Sequence, residues 1–298
     1  MRPNFLILGA AKCGTTSLHY YVDQHPQVYM SEPKEPRFFE MEYSKGVDFY
    51  WNTYFGDWSG EPAVGEASPR NLYLPYVPER IRKELPEARL VAILRNPVER
   101  ALSGWWMAYS LGLEKLSFED AIRSNMQLLE SGFSFGGEEG ESLWRDAIIW
   151  GETPRPVRYR SYLDIGYYAV QLRRYLRLFP RSQMKILFFE DLCKDPQSLT
   201  ASIWDFVGVE ADYRLPDTSP RMVATPRAGL PLLRIARATQ TRRLIPKFLR
   251  RLAARLFAEL GRKPKIDPAL REWLVAHYYE HNRELEQIVE RDLSHWDR

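Results

Sequence analysis

Cysteine is scarce in this chain of 298 residues: Cys13 and Cys193 are the only two. Two thiols 180 positions apart build no disulfide framework and lack metal-ligand spacing, so a reducing compartment is expected. Long apolar runs are also missing. The first one, from Asn4 to Leu8, stops at Gly9, far short of a membrane span, and no secretory leader precedes it. The expectation is therefore a soluble, cytoplasmic protein. There is no internal repeat, and neither sign of charge prevails overall, with a net charge of only +3. That charge is unevenly placed. Residues 227–265 hold twelve Lys and Arg against one acid, Glu259, which leaves the remainder net acidic. Histidine is sparse too, at five residues.

What is present is an alternation of short apolar runs and helical periods. Residues 4–8, 61–66, 89–94 and 184–189 read as buried strands, each bounded by Gly, Pro or charged residues. Helical spacing follows Gly14, spans about 97–111, begins again at Ser117 with Asp120 three residues on, and covers about 166–179. Further helices start at Pro196 behind Asp195 and run from about Pro268 to Arg291. Such alternation predicts an α/β fold of one domain: a central parallel sheet flanked by helices, like that of P-loop nucleoside triphosphate hydrolases. Residues 131–142 read as loop.

The first strand runs into "GAAKCGTT", residues 9–16. Gly9, Gly14 and Thr16 fit the frame of a phosphate-binding loop, but Thr15 stands where lysine belongs, and Lys12 sits three residues earlier. A glycine-bearing turn at a helix N-terminus converges backbone N–H groups on an anion, and Thr15, Thr16 and Ser17 add hydroxyls. A lysine on the arch of the loop suits a shorter ligand that reacts at its outer atom. The strand 89–94 then ends in Arg95, where a triphosphatase would hold Mg²⁺ with an acid. An arginine at that edge suits a second phosphate, with Arg100 and Ser103 following on the next helix. A competing metal pair, Glu190 and Asp191, follows the strand 184–189.

These segments together resemble the sulfotransferases that use 3′-phosphoadenosine 5′-phosphosulfate, in particular their bacterial and heparan-sulfate branches. "FLILGAAKCGTTSL" resembles the 5′-phosphosulfate loop, "SEPKEPRFF" the lysine-bearing segment after it, and "VGEASPRNLY" the strand with the catalytic glutamate. "LVAILRNPVERALSGWW" resembles the 3′-phosphate motif, and the stretches 167–196 and 277–296 resemble the family's central helix and strand and its last helix. The resemblance covers nearly the whole chain and implies one sulfotransferase domain over residues 1–298. It implies that Lys12, Cys13, Gly14, Thr15, Thr16 and Ser17 hold the 5′-phosphate, with Lys12 on the bridging oxygen. Arg95 and Ser103 would take the 3′-phosphate, and no metal would be needed. The family's late Lys-Gly-Arg stretch is absent. "MVATPRAGLPLL" stands there, which makes Arg227 the candidate clamp.

Sulfuryl transfer needs a base for the acceptor's proton. None of the five histidines follows a strand edge, whereas Glu66 does, directly after "AVG", so Glu66 is the expected base and Lys34 a second lysine for the site. Residues 105–160, rich in Trp, Tyr, Phe and Arg, are the expected acceptor side, with Arg155, Arg158 and Tyr159 as contacts, although most of those aromatics also suit a core. The acceptor itself, a small molecule, saccharide or lipid, is left open, as is the oligomeric state. Residues 227–260 mix apolar and basic positions. They suit a cover helix, an electropositive approach for anions, or peripheral contact with an anionic membrane; no motif points to nucleic acid. Two other readings stand beside sulfuryl transfer: a P-loop nucleotide kinase, and a non-catalytic protein that binds anions or membrane surfaces.

Overall fold

The computed structural model describes residues 2–147, 156–220 and 263–298. Five strands form one sheet: β1 (Phe5–Gly9), β2 (Val28–Met30), β3 (Ala63–Glu66), β4 (Arg89–Leu94) and β5 (Met184–Phe188). Their order is β2-β3-β1-β4-β5, and every pairing is parallel. β1 and β3 are buried throughout, and β4 is buried from Leu90 onward. This explains why these strands read as continuous apolar runs: helices cover both faces of a parallel sheet. β2 has only three residues, too few to stand out in the sequence.

The helices are α1 (Thr15–Val22), α2 (Val47–Tyr54), α3 (Val77–Glu84), α4 (Pro97–Ser110), α5 (Phe118–Glu130), α6 (Gly140–Ala147), α7 (Tyr168–Leu176), α8 (Phe189–Lys194), α9 (Pro196–Val207) and α10 (Pro268–Val289). The capping signals work as expected. Ser117 accepts from the Asp120 N–H, Asp195 from the Ser198 N–H, and Asp267 from the Ala269 and Leu270 N–H groups. Two expectations shift. The helix expected over 166–179 opens with a 3₁₀ turn, Asp164–Gly166, and its α-helical part is only α7. The stretch 131–142, read as loop, turns helical at Gly140, where α6 begins.

The main core packs on both faces of the sheet. A second cluster joins α4, α5 and α10 through Val98, Leu102, Trp105, Trp106, Phe118, Ile122, Leu274 and Tyr278. β1 lies centrally, with β3 on one side and β4 on the other. The chain thus leaves β1, β3 and β4 around one crevice at their C-terminal ends, the point in such a sheet where ligands bind. Lys12, Glu66 and Arg95 stand at those three ends.

Candidate active site

The β1–α1 loop is bent by backbone that side chains tolerate poorly. Lys12 has φ 73° and Gly14 φ 91°, both left-handed. A Cβ at Gly14 would lie 2.9 Å from the Phe189 ring, and one at Gly9 would lie 2.7 Å from the Pro69 carbonyl oxygen. Glycine is therefore required at both, and Lys12 carries a strained conformation of the kind that collects at functional sites. Cys13 is fully buried, its Sγ 3.6 Å from the Tyr168 hydroxyl, and burial pushes its thiol up to about 11. Of Cys13, only the backbone remains for an anion. Thr15 and Ser17 are buried, while Gly14 and Thr16 are half-buried at the helix start.

Lys12 reaches toward α4, where its Nζ lies 3.0 Å from the Met107 sulfur. Burial first, then the positive charges of Arg95 and Arg100, lower its pKa to about 8. Arg95 donates to the Lys12 carbonyl oxygen at 3.4 Å and lies 4.5 Å from the Phe189 ring centre. Arg100 is fully buried, bonds the Tyr162 carbonyl oxygen, and keeps its Nε–H without a partner. Ser103 is half-buried on α4 beside Gly104, where a Cβ would touch both Arg100 and Lys12. Cations thus converge on the loop, and among the described residues no acid pairs with Lys12. An anion with two phosphate groups fits this set of donors.

Of the metal pair considered from the sequence, Asp191 forms a bidentate pair with Arg291, while Glu190 accepts the Asn96 N–H at 3.3 Å through Oε1 and keeps Oε2 buried without a hydrogen bond.

The carboxylates define the other wall. Glu66, at the end of β3, is 0% exposed. Its Oε1 accepts from Asn71 at 3.0 Å, and its Oε2 has no partner. Burial raises its pKa to about 8; the neighbouring Tyr50 hydroxyl opposes the rise and the charge of Glu40 adds to it. Glu40, equally buried, is raised by burial as well, against the pull of Arg70 and Arg37. Glu35 differs: its side chain is 29% exposed, and it accepts from Lys34 Nζ at 3.0 Å. Burial alone would raise Glu35, but Lys34, Arg70 and Arg37 carry it below the usual carboxylate range. Glu35 is thus the ionised, accessible carboxylate of this wall. The sequence reading passed over it, although it stands beside Lys34 between two prolines in "EPKEP".

Three further groups stand near the site. His19 lies on α1 near Lys34 and Glu35; burial and then Lys34 lower its pKa to about 4, and its Nε2 is buried without a partner. Lys263 pairs with Glu99 at 3.4 Å, and Arg95 is one of the charges acting on it. Arg70 stands on the acidic wall near Lys12 and Glu35.

Most aromatics of 105–160 serve the core: Trp105, Trp106, Phe135 and Trp144 are all buried. Tyr159 stacks on Phe133 at 4.8 Å, Phe133 meets Phe135, and Phe135 meets Trp144, so an aromatic chain connects Tyr159 to the wall of the site. Arg158 lies over Tyr159 and pairs with Asp146 at 3.4 Å, both side chains being exposed. Arg155, Arg227 and the basic segment as far as Arg262 lie outside the described residues. A cleft of about 470 Å³ between α5 and α10 contains none of the groups above.

The sequence profile of the sulfotransferase domain matches residues 2–223. The chain belongs to the sulfotransferase family. A sulfotransferase from Alicyclobacillus acidocaldarius is 29% identical, with a TM-score of 0.70 and all of both chains covered. The heparan sulfate glucosamine 3-O-sulfotransferase 6 of Mus musculus is 26% identical over 99% of this chain and 74% of its own. The membrane-associated sulfotransferase kil1 of Dictyostelium discoideum is 25% identical over 71% of this chain. This chain spans 57% of kil1 and 30% of the mouse bifunctional heparan sulfate N-deacetylase/N-sulfotransferase 4. Among the described residues of this sulfotransferase-family chain no helix is long and apolar enough to cross a membrane, and no cluster of His, Cys, Asp and Glu is grouped to hold a metal.

Proposed function

We propose that the protein transfers a sulfuryl group from 3′-phosphoadenosine 5′-phosphosulfate to a hydroxyl or amine of an acceptor by in-line displacement. The observation that carries this reading is the unbalanced set of cations at the crevice: Lys12, whose charged neighbours are Arg95, Arg100 and Arg70, on a loop of converging N–H groups. When bound, the donor supplies the sulfuryl group and a phosphate as leaving group. Backbone N–H groups of Lys12 to Thr16, with the hydroxyls of Thr15, Thr16 and Ser17, would hold the 5′-phosphate. Lys12 would stabilise charge growing on its bridging oxygen. Arg95 and Ser103 would hold the 3′-phosphate. Lys263 is a further cation beside Arg95, whereas Arg227 keeps its proposed clamping role on sequence alone.

The acceptor's proton has two candidate destinations. Glu66 is the one expected from the strand edge, but its carboxyl is fully buried and its pKa is raised to about 8, which favours the protonated form at neutral pH. Exposure and charge favour Glu35, with Lys34 orienting it at 3.0 Å. Glu66 would then shape the wall behind it. The relatives named for heparan sulfate support a saccharide acceptor. The two free cysteines suit a reducing compartment such as the cytoplasm.

Calorimetric titration with 3′,5′-adenosine bisphosphate, 5′-AMP and Mg²⁺-free ATP tests the donor. The bisphosphate should bind at least tenfold tighter than either; preference for ATP would return the kinase reading. Once an acceptor is in hand, Glu35→Gln should lower kcat about 10²–10⁴-fold with bisphosphate affinity unchanged. The same loss in Glu66→Gln, with Glu35→Gln active, would restore Glu66 as the base.

A further inference from the structure

A second cavity, of about 170 Å³, lies along α7, and neither the donor loop nor Arg95, Glu35 or Glu66 lines it. Tyr73, Phe133, Phe135 and Tyr167 give it aromatic walls, and Gln171 and Arg174 line it from α7. Val170 lines it too and is 38% exposed, so the cavity opens to solvent. Gln171 is 2% exposed. Its Nε2 donates to the carbonyl oxygens of Asp164 and Ile165 at 3.0 and 3.1 Å, and its Oε1 is buried without a hydrogen bond. Carbonyl oxygens only accept, so these two fix which end of the amide is nitrogen, and the free end is an acceptor. A group that completes it must bring a hydrogen-bond donor. Arg174 follows three residues later on the same face of the helix. Its Nη1 donates to the Tyr73 carbonyl oxygen at 3.0 Å, and among the described residues no acid pairs with its guanidinium. The acid in the lining, Asp164, is already engaged by the Tyr73 hydroxyl and by Asn125. A dry cavity of about 150 Å³ holds one benzene ring, whereas a single water on Gln171 would leave most of this volume unfilled.

We propose that this cavity binds a small hydroxyaryl carboxylate, a single ring whose hydroxyl donates to Gln171 Oε1 and whose carboxylate pairs with Arg174. The aromatic walls pack the ring, and the planar guanidinium matches a carboxylate. In 4-hydroxybenzoate the two groups stand on opposite sides of one ring, which suits the roughly 5–6 Å between Cβ atoms three residues apart on a helix. The site is separate from the donor loop and stands whether or not the protein transfers sulfuryl groups. It shares α7 with the acidic wall: the Tyr175 hydroxyl donates to the Asn71 carbonyl oxygen at 2.7 Å, and the Asn71 amide holds Glu66.

Calorimetry on the full chain tests this with 4-hydroxybenzoate, phenol and benzoate at constant ionic strength. The hydroxybenzoate should bind saturably, one per chain, and each fragment at least tenfold more weakly. Saturating 3′,5′-adenosine bisphosphate should leave that affinity unchanged; displacement by it would put the carboxylate at the donor loop and overturn the proposal. Arg174→Met keeps the aliphatic stem and should reduce the hydroxybenzoate to the affinity of phenol, with phenol itself unaffected. Val170→Trp adds a ring at an exposed position of the lining and should abolish binding of all three, with thermal unfolding showing that the variant is folded. No saturable binding to wild type, equal affinities for hydroxybenzoate and phenol, or full binding to Val170→Trp would each overturn the site.

Discussion

Glu66 shows how one buried side chain couples function to stability. Its carboxyl is fully buried with one oxygen lacking a hydrogen bond, and its pKa stands near 8 in the fold against an ordinary value of 4.5. Between those values the folded chain holds a proton that the unfolded chain releases. Ionisation therefore favours unfolding progressively from about pH 4.5 to 8, and the loss is complete above that window. Glutamine has the same shape and does not titrate. The Tm of Glu66→Gln should gain on wild type as pH rises through that window and then hold a constant lead, which calorimetry in buffers from pH 5 to 9 reads directly. A difference independent of pH would mean that Glu66 is charged in the fold at all these pH values.

At the scale of the element, α4 starts immediately after Arg95, and its N-cap locks that arginine's position. Asn96 Oδ1 accepts from the Val98 and Glu99 N–H groups at 3.0 and 3.3 Å, and Asn96 Nδ2 donates to the Trp296 carbonyl oxygen at 3.2 Å. Asn96→Ala should cost about 1 kcal/mol from the cap alone. Because the loosened turn carries Arg95, the bisphosphate should bind several-fold more weakly while 5′-AMP, which lacks the second phosphate, is little affected. Asn96→Asp keeps the acceptor and should recover most of the stability. Parallel losses for both nucleotides would show that the cap supports the whole loop and not the Arg95 edge.

Across the whole molecule, the turn Ser294–Asp297 braces the Arg95 edge of β4. Trp296 is buried against Tyr168 and Phe188, and the Tyr168 hydroxyl donates to the Arg95 carbonyl oxygen at 2.9 Å. Residues 200 positions apart thus fix one strand edge. Trp296→Ala should cost about 3–5 kcal/mol by leaving a large void. It should also weaken bisphosphate binding more than 5′-AMP binding; Trp296→Phe should restore most of both. Chemical denaturation and calorimetry check the two effects separately.

The sequence by itself determined the parallel α/β architecture and put Lys12 and Arg95 just past the ends of their strands, because these depend on local matters: apolar runs, helix caps, glycine spacing and residue type at a strand's end. β2 escaped it, since three residues carry no period. The choice between carboxylates was not legible. Glu66 and Glu35 both follow motif-like segments, and their difference lies in burial and in which cations surround them, neither of which is local. Only the folded chain brings Lys34, Arg37 and Arg70 around Glu35 while sealing Glu66 behind Tyr50 and Asn71. Charge state follows from desolvation and from neighbours distant in sequence, so only the tertiary structure separates the buried Glu66 from the half-exposed Glu35.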